Sequence, residues 1–191
     1  MTEPTTLLTD YALGAVSLFL GVRVIRNTKL WALAFLALSL AAFLGGTWHG
    51  LWQSDLLWKA TTLSVGVASF GMVAGSAHLT TTGALKRLLL IFAAVKWLAY
   101  TVWMLTHDDF IWVVADTGIA LALVGLMHLW RFNGWMLSGV AVSLLAGLAQ
   151  ASGVALHPRF NHNDLYHVIQ MAAMFLFYRG LKKASERASM L

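Results

Sequence analysis

The sequence predicts an all-α membrane protein, one bundle of seven transmembrane helices spanning residues 1–191 as a single domain. Three observations predict it. Hydrophobic residues make up 59% of the chain and charged residues 11%, under half of the roughly 25% charged residues of an ordinary soluble domain. The apolar residues gather into stretches of about 20, the length a helix needs to cross the hydrocarbon core. The basic residues collect in alternate connections, as the positive-inside asymmetry of a multi-pass chain requires.

The first span is expected near 10–27, after a short acidic start (Glu3, Asp10) that lacks the basic flank and cleavage site of a signal peptide, so it reads as a retained helix. The second, near 30–51, follows Arg23, Arg26 and Lys29 and ends in "GGTWHG", where Gly45 and Gly46 permit close helix approach. The third, near 56–78, opens after Asp55 and carries Gly71 and Gly75, a small-x-x-x-small face for packing. Lys86 and Arg87 open the fourth, near 85–106, with Lys96 at its middle, and "THDDF" leads into the fifth, near 109–130, which holds Asp116 about two turns in. Arg131 precedes the sixth, near 133–156, and "HPRFNHND" leads into the seventh, near 163–182. The connections are short, with no internal repeat and no room for a soluble domain.

Ten of the thirteen basic residues, ending with Arg179, Lys182, Lys183 and Arg187, share one side. That side is expected to be cytoplasmic, with the N-terminus outside and the C-terminus cytoplasmic. The location expected is a bacterial inner membrane, multi-pass. The net charge of +5 is then a topology signal, and no nucleic-acid partner is expected. Trp48, Trp52, Trp58, Trp103 and Trp112 fall near outer boundaries and Trp31, Trp130 and Trp135 near inner ones, the places of anchoring aromatic belts. The absence of cysteine excludes a thiol nucleophile, a disulfide framework and a thiolate metal site. There is no phosphate-binding glycine loop, Gly-x-Ser-x-Gly elbow or His-Glu-x-x-His pattern, and no mid-span lysine in the seventh helix for a retinal.

The expected outer side gathers the remaining chemistry. His49, His107, His157, His162 and His167 fall there, with Asp55, Asp108, Asp109 and Asp164. Interfacial histidines often only bond headgroups or loop carbonyls. Yet imidazoles on two helices, His49 and His167, can also converge on one divalent metal, which in a catalytic site usually takes three protein ligands and a water.

A histidine at the outer end of the second of seven helices and a histidine motif opening the seventh resemble the CREST superfamily of alkaline ceramidases and progestin and adipoQ receptors. The resemblance spans the chain in topology and rests on few residues. It implies a zinc ion held by one histidine from the second helix and two from a His-x-x-x-His motif in the seventh, with a nearby serine and a third-helix aspartate. His49 matches the second-helix ligand and His167 the second histidine of the pair. Asn163 stands where the family has the first histidine; His162 is five residues from His167, about 140° around a helix, and serves only from the turn before it, with Asn161 or Asn163 as N-cap. The family serine falls on Gly45, which leaves Thr47 as the nearest hydroxyl, and the third helix offers Asp55 at its start with Lys59 a turn later.

Asp164 and His167, three residues apart, share a helical face. The carboxylate either fixes the imidazole tautomer, as behind a metal-bound histidine or a general base, or simply complements the helix dipole. Lys96 near the bilayer midplane is costly unless paired or facing water; Asp116 is its expected partner, and the pair either is structural or faces an internal cavity where the lysine binds an anionic group. Lys59 is expected to pair with Asp55 at i,i+4. With Asn163 these residues make the expected pocket.

The function expected from the resemblance is a zinc-dependent intramembrane lipid hydrolase acting on a ceramide-like amide or an ester. Asp55 or Asp164 would be the base, and a membrane lipid the substrate, reaching the site laterally. A metal-free proton-transfer site of His49, Asp164 and His167 is a variant of it. The rival classes are a proton-linked transporter, with Lys96 and Asp116 as its relay, and a receptor-like protein that binds lipid or metal without turnover. A transporter would need a polar path toward His78 and His128 on the inner side.

Overall fold

The computed structural model describes the backbone of residues 3–188 and the side chains of residues 3–185, so the side chain of Arg187, one of the ten basic residues counted above, lies outside the described set. Among the described residues there are seven helices and no strand: α1 (Pro4–Val24), α2 (Lys29–Gly50), α3 (Asp55–Thr80), α4 (Gly83–Met104), α5 (Phe110–Trp130), α6 (Gly134–Ala151) and α7 (His162–Ala188). The first six are long and apolar enough to cross a membrane, consistent with an integral multi-pass membrane protein. Polar residues in its first turns and Arg179, Lys182 and Lys183 in its last make α7 less apolar than the rest.

The helix starts follow from capping chemistry. Thr28, Ser54 and Asn133 each place a side-chain oxygen on the backbone N–H three residues on, which satisfies one of the orphan donors of a helix start. Three boundaries differ by five residues or more from the sequence reading: the start of α1, the end of α6, and the end of α7, which runs on to Ala188 and not to 182. Helix α1 begins at Pro4, in the first helical turn where proline's missing donor costs nothing, so Asp10 lies inside the helix and not before it. Helix α6 stops at Ala151 because Gly153 turns left-handed at φ +67°, the usual way to end a helix.

Six helices close a ring in the order α1, α2, α3, α5, α6, α7, with α7 returning to α1. Helix α4 stands outside the ring against α3 and barely touches α5; of its residues only Ala93, Tyr100 and Met104 are buried. Close approach of α3 to α2 uses the expected small face: a Cβ on Gly71 would lie 2.8 Å from Ala34 N and Leu30 O, and one on Gly75 would lie 2.6 Å from the Trp31 ring. Trp31 is thus core and not a boundary anchor, 1% exposed and packed against Phe177 with ring centroids 5.3 Å apart and planes tilted by 40°. An indole between three helices buries more area there than at a surface. Trp52, Trp130 and Trp135 are exposed at helix ends, as anchors would be. The large core residues Phe35, Leu20, Met136 and Leu181 join Trp31 and Phe177 in one cluster of α1, α2, α6 and α7, joined by Leu121 and Val124 of α5.

Candidate functional site

Helices α1 and α7 each contribute two polar residues where they meet. On α1, Thr9 and Asp10 are consecutive; on α7, Asp164 and His167 are one turn apart. The start of α7 is a reciprocal cap. Asn161 Oδ1 accepts from the N–H groups of Asn163 (2.8 Å) and Asp164 (3.3 Å), while Asp164 Oδ2 accepts from Asn161 N at 2.7 Å, the capping-box arrangement with asparagine and aspartate in its two roles. Asn161 is the cap, one of the two residues expected, and His162 becomes the first helical residue.

This capping leaves Asp164 Oδ1 for α1, where it accepts from Thr9 Oγ1 at 3.2 Å. Thr9 Oγ1 also lies 3.0 Å from His167 Nδ1, so a hydroxyl stands between the carboxylate and the ring that the sequence reading joined directly. The other ring nitrogen, Nε2, is 3.0 Å from Asp10 Oδ1, with both side chains less than a tenth exposed. Asp10 fits because α2 presents glycine: a Cβ on Gly46 would stand 2.8 Å from Asp10 Cβ.

The proton count of this network is constrained, because a threonine hydroxyl donates once. If Thr9 donates to Asp164, or to Thr6 O, which is also at 3.2 Å, His167 Nδ1 must carry a proton toward Thr9, and the contact of Nε2 with Asp10 needs a second proton, on the ring or on the carboxyl. If Thr9 donates to Nδ1, the ring's own proton sits on Nε2 and points at Asp10. Either way one proton lies on the line between His167 and Asp10.

The pair lines a cavity of about 490 Å³ inside the ring, within the range of small-molecule sites. Its walls are apolar (Leu13, Leu38, Ala42, Val65, Val114), and its polar end is formed by Asp10, His49, His162, Asn163 and His167. His49 Nδ1 is 3.0 Å from Glu3 Oε2 in a more exposed setting, with side chains 20% and 43% exposed. Gln150 donates to Asn163 Oδ1 at 3.3 Å.

Of the residues the sequence singled out, His49, His162, Asn163 and His167 therefore meet at one cavity, with Asp164 bonded behind them. Thr47, Asp55, Lys59, Lys96 and Asp116 do not line it. Thr47 is held by Phe43 O (2.7 Å) and Tyr11 Oη (2.9 Å). Asp55 is exposed at the first residue of α3. Lys59 pairs not with Asp55 but with Asp108 at 2.6 Å, and donates to the carbonyls of Met104 and His107, because the α4–α5 connection lies over the start of α3. Lys96 does pair with Asp116 and donates to Ser69 Oγ at 2.8 Å; the two meet across α3, since α4 and α5 hardly touch.

Glu3, Thr9 and Asp10 are the functional candidates sequence reasoning passed over. The signal was a carboxylate followed at once by an apolar span, which is costly in a membrane unless it has a partner; drawing the first span from residue 10 hid it.

The zinc implied by the resemblance can be tested against these donors. Both ring nitrogens of His167 are engaged, by Thr9 and Asp10, and among the described residues no three of His, Asp and Glu group so as to hold a metal ion. As arranged, these residues do not make a metal centre.

At the other end of the α3–α5 seam, His128 Nε2 lies 3.2 Å from Ser76 Oγ, and Arg131 donates to Thr80 O at 2.8 Å. Ser76 is seven residues from Ser69, about 10 Å along α3, and Val73, Ala120 and Val124 between them are fully buried. The polar groups of the α3–α5 seam are two separate clusters with apolar packing between.

No curated protein and no solved structure matches the chain. The pattern of one family, described as "Family of unknown function (DUF6962)", matches residues 5–186, and the chain belongs to that family.

Proposed function

We propose that this chain is a seven-span membrane protein, N-terminus outside, that hydrolyses an amide or ester bond of a membrane lipid at the polar end of its cavity. The observation that carries this reading is the buried His167–Asp10 pair, whose 3.0 Å contact requires a proton on one of its members, lining a mostly apolar cavity beside a second imidazole–carboxylate pair, His49 with Glu3. An acyl chain suits the walls, and a polar linkage suits the end.

The chemistry uses this chain's own groups. Asp10, steadied by His167, takes a proton from a water as the water oxygen attacks the carbonyl carbon. When the bond from that carbon to nitrogen or oxygen breaks, the same pair returns the proton to the leaving group. Proton transfer of this kind contributes about 10²–10⁴-fold. Thr9 and Asp164 hold the imidazole from behind, as the orienting member of a catalytic pair does.

The transporter reading needs a continuous polar path, and the closed packing at Val73, Ala120 and Val124 weighs against it. The test is purified protein incubated with N-acyl sphingoid bases, N-acyl amines and lysophospholipids. Release of free fatty acid from at least one, abolished in Asp10→Asn, supports the reading; no release by folded protein across the panel ends it.

A further inference from the structure

The α5–α6 pair is closed at one end and open at the other. A short connection, Arg131–Asn133, joins the two helices at the closed end, where a Cβ on Gly125 would already be in contact with Val140 at 3.6 Å. Val140, Leu121, Val124 and Met136 are buried in the main core there. Toward the other end the same faces continue. On α5, residues 111, 114, 118, 121 and 125 follow a three- and four-residue spacing, as do 140, 143, 147 and 151 on α6, so each set forms one stripe. At the open end a Cβ on Gly118 or Gly147 would meet nothing within 4 Å. Ile111, Val114, Gly147 and Ala151 all line the cavity, yet Ile111 is 63% and Val114 45% exposed. Side chains that line a cavity and also face outward mark its opening.

We propose that the gap between α5 and α6 is a lateral portal, and that its occupant is the single hydrocarbon chain of a membrane lipid whose polar linkage lies against Asp10, His49 and His167. The commitment to one chain follows from chemistry on both sides of the gap. Its rim is apolar and continuous with the apolar outer face of α5 and α6 (Leu144, Leu145 and Leu148 are exposed), so a polar solute has no favourable path through it. The cavity behind is mostly apolar, with Thr61 and the Asn163-bonded Gln150 as further polar groups in its wall, and the cluster of Asp10, His49 and His167 gives an acyl chain's linkage donors and acceptors. A cavity of about 490 Å³ suits one chain and its linkage better than a two-chain phospholipid, being mid-range among small-molecule sites. The portal gives the proposed hydrolase its substrate class, single-chain lipids and N-acyl amines, and in that respect rests on that reading.

The test reads binding and not turnover. Protein in nanodiscs receives an ether-linked lysophosphatidylcholine, which has no hydrolysable acyl bond, with a photoactivatable group on its chain, and cross-links are mapped by mass spectrometry. Cross-links are expected at Ile111, Val114, Gly147 and Ala151 and inside the cavity at Leu38 and Ala42. Gly147→Phe and, from the opposite wall, Val114→Trp should each cut the interior cross-links by about tenfold, the loss expected when a chain is barred from a fitted pocket. Leu88→Phe, on the outward face of α4, should leave them unchanged. Having two blocking variants keeps the test decisive if one fails to fold. Cross-links spread evenly over the apolar surface, or interior cross-links that survive both blocking variants, would overturn the portal. Binding through the gap without hydrolysis of any lipid would instead leave the portal standing and remove the hydrolase.

Discussion

His167 joins the two ends of the chain: its Nε2 is 3.0 Å from Asp10 Oδ1 and its Nδ1 3.0 Å from Thr9 Oγ1, so a ring on the last helix is held by consecutive residues of the first. Asp10→Asn keeps the shape and a hydrogen bond but removes the proton acceptor. Hydrolysis should fall by about 10²–10⁴-fold while the melting temperature stays within a few degrees. An Asp10→Asn protein that retained activity within a factor of a few would take Asp10 out of the chemistry.

Metal content separates the acid–base reading from the zinc chemistry the CREST resemblance implies. With both His167 nitrogens committed, activity is expected to survive chelator treatment, and elemental analysis should show far less than one zinc per chain. About one zinc per chain, lost together in Asp10→Asn and His167→Ala, would put a metal-bound water in place of the water activated by Asp10.

The Lys96–Asp116 pair is buried against Ser69, and Asp116 Oδ2 has no partner among the described residues. Lys96→Met strands a buried carboxylate and should destabilise the protein by about 3–5 kcal/mol. Adding Asp116→Asn should recover a large part of that loss, a coupling that a double-mutant cycle measures. Small, additive losses would mean that each group is independently solvated.

Glycines on α3 and α5 should respond in opposite directions. At Gly71 the atoms facing a new Cβ are backbone of α2 and cannot swing aside, so Gly71→Ala should cost about 1–3 kcal/mol through overpacking. At Gly118 there is open space, and Gly118→Ala should be neutral or stabilise by up to about 1 kcal/mol through helix propensity. Thermal unfolding in one detergent ranks the two; equal effects would mean that the α2–α3 contact is not close.

Topology is checked with reporters. A fusion after Leu191 should report the cytoplasm and an insertion beside Asp108 the outside, because ten basic residues share the first side. Reversed signals would place the cavity's polar end at the inner leaflet.

Helix number and the packing role of Gly71 and Gly75 were legible because apolar length and small-residue spacing are local signals. The meeting of His49, His162, Asn163 and His167 was legible in part, since all four lie at helix ends expected on one side. Asp10 and Thr9 were not, because their role depends on α1 standing next to α7, a contact between residues more than 150 positions apart that no local pattern announces. The Lys96–Asp116 pairing was foreseen, but through an assumed α4–α5 adjacency; the pair exists because both helices lean on α3. Trp31 was misread because an indole near a helix end looks the same in sequence whether it faces headgroups or Phe177.

Closure of the ring by α1 and α7 sets an order of events in biosynthesis. Thr9 and Asp164 are 155 residues apart, so at about 5–20 residues per second Asp10 waits on the order of 8–30 s for its imidazole to be made. Throughout that interval the nascent chain holds an acidic group in α1 without its partner, a segment poorly suited to lipid on its own. A chain cut short before α7 never satisfies it. The making of α7 is thereby written into the proton network itself, and a product truncated before α7 carries a marked defect in α1.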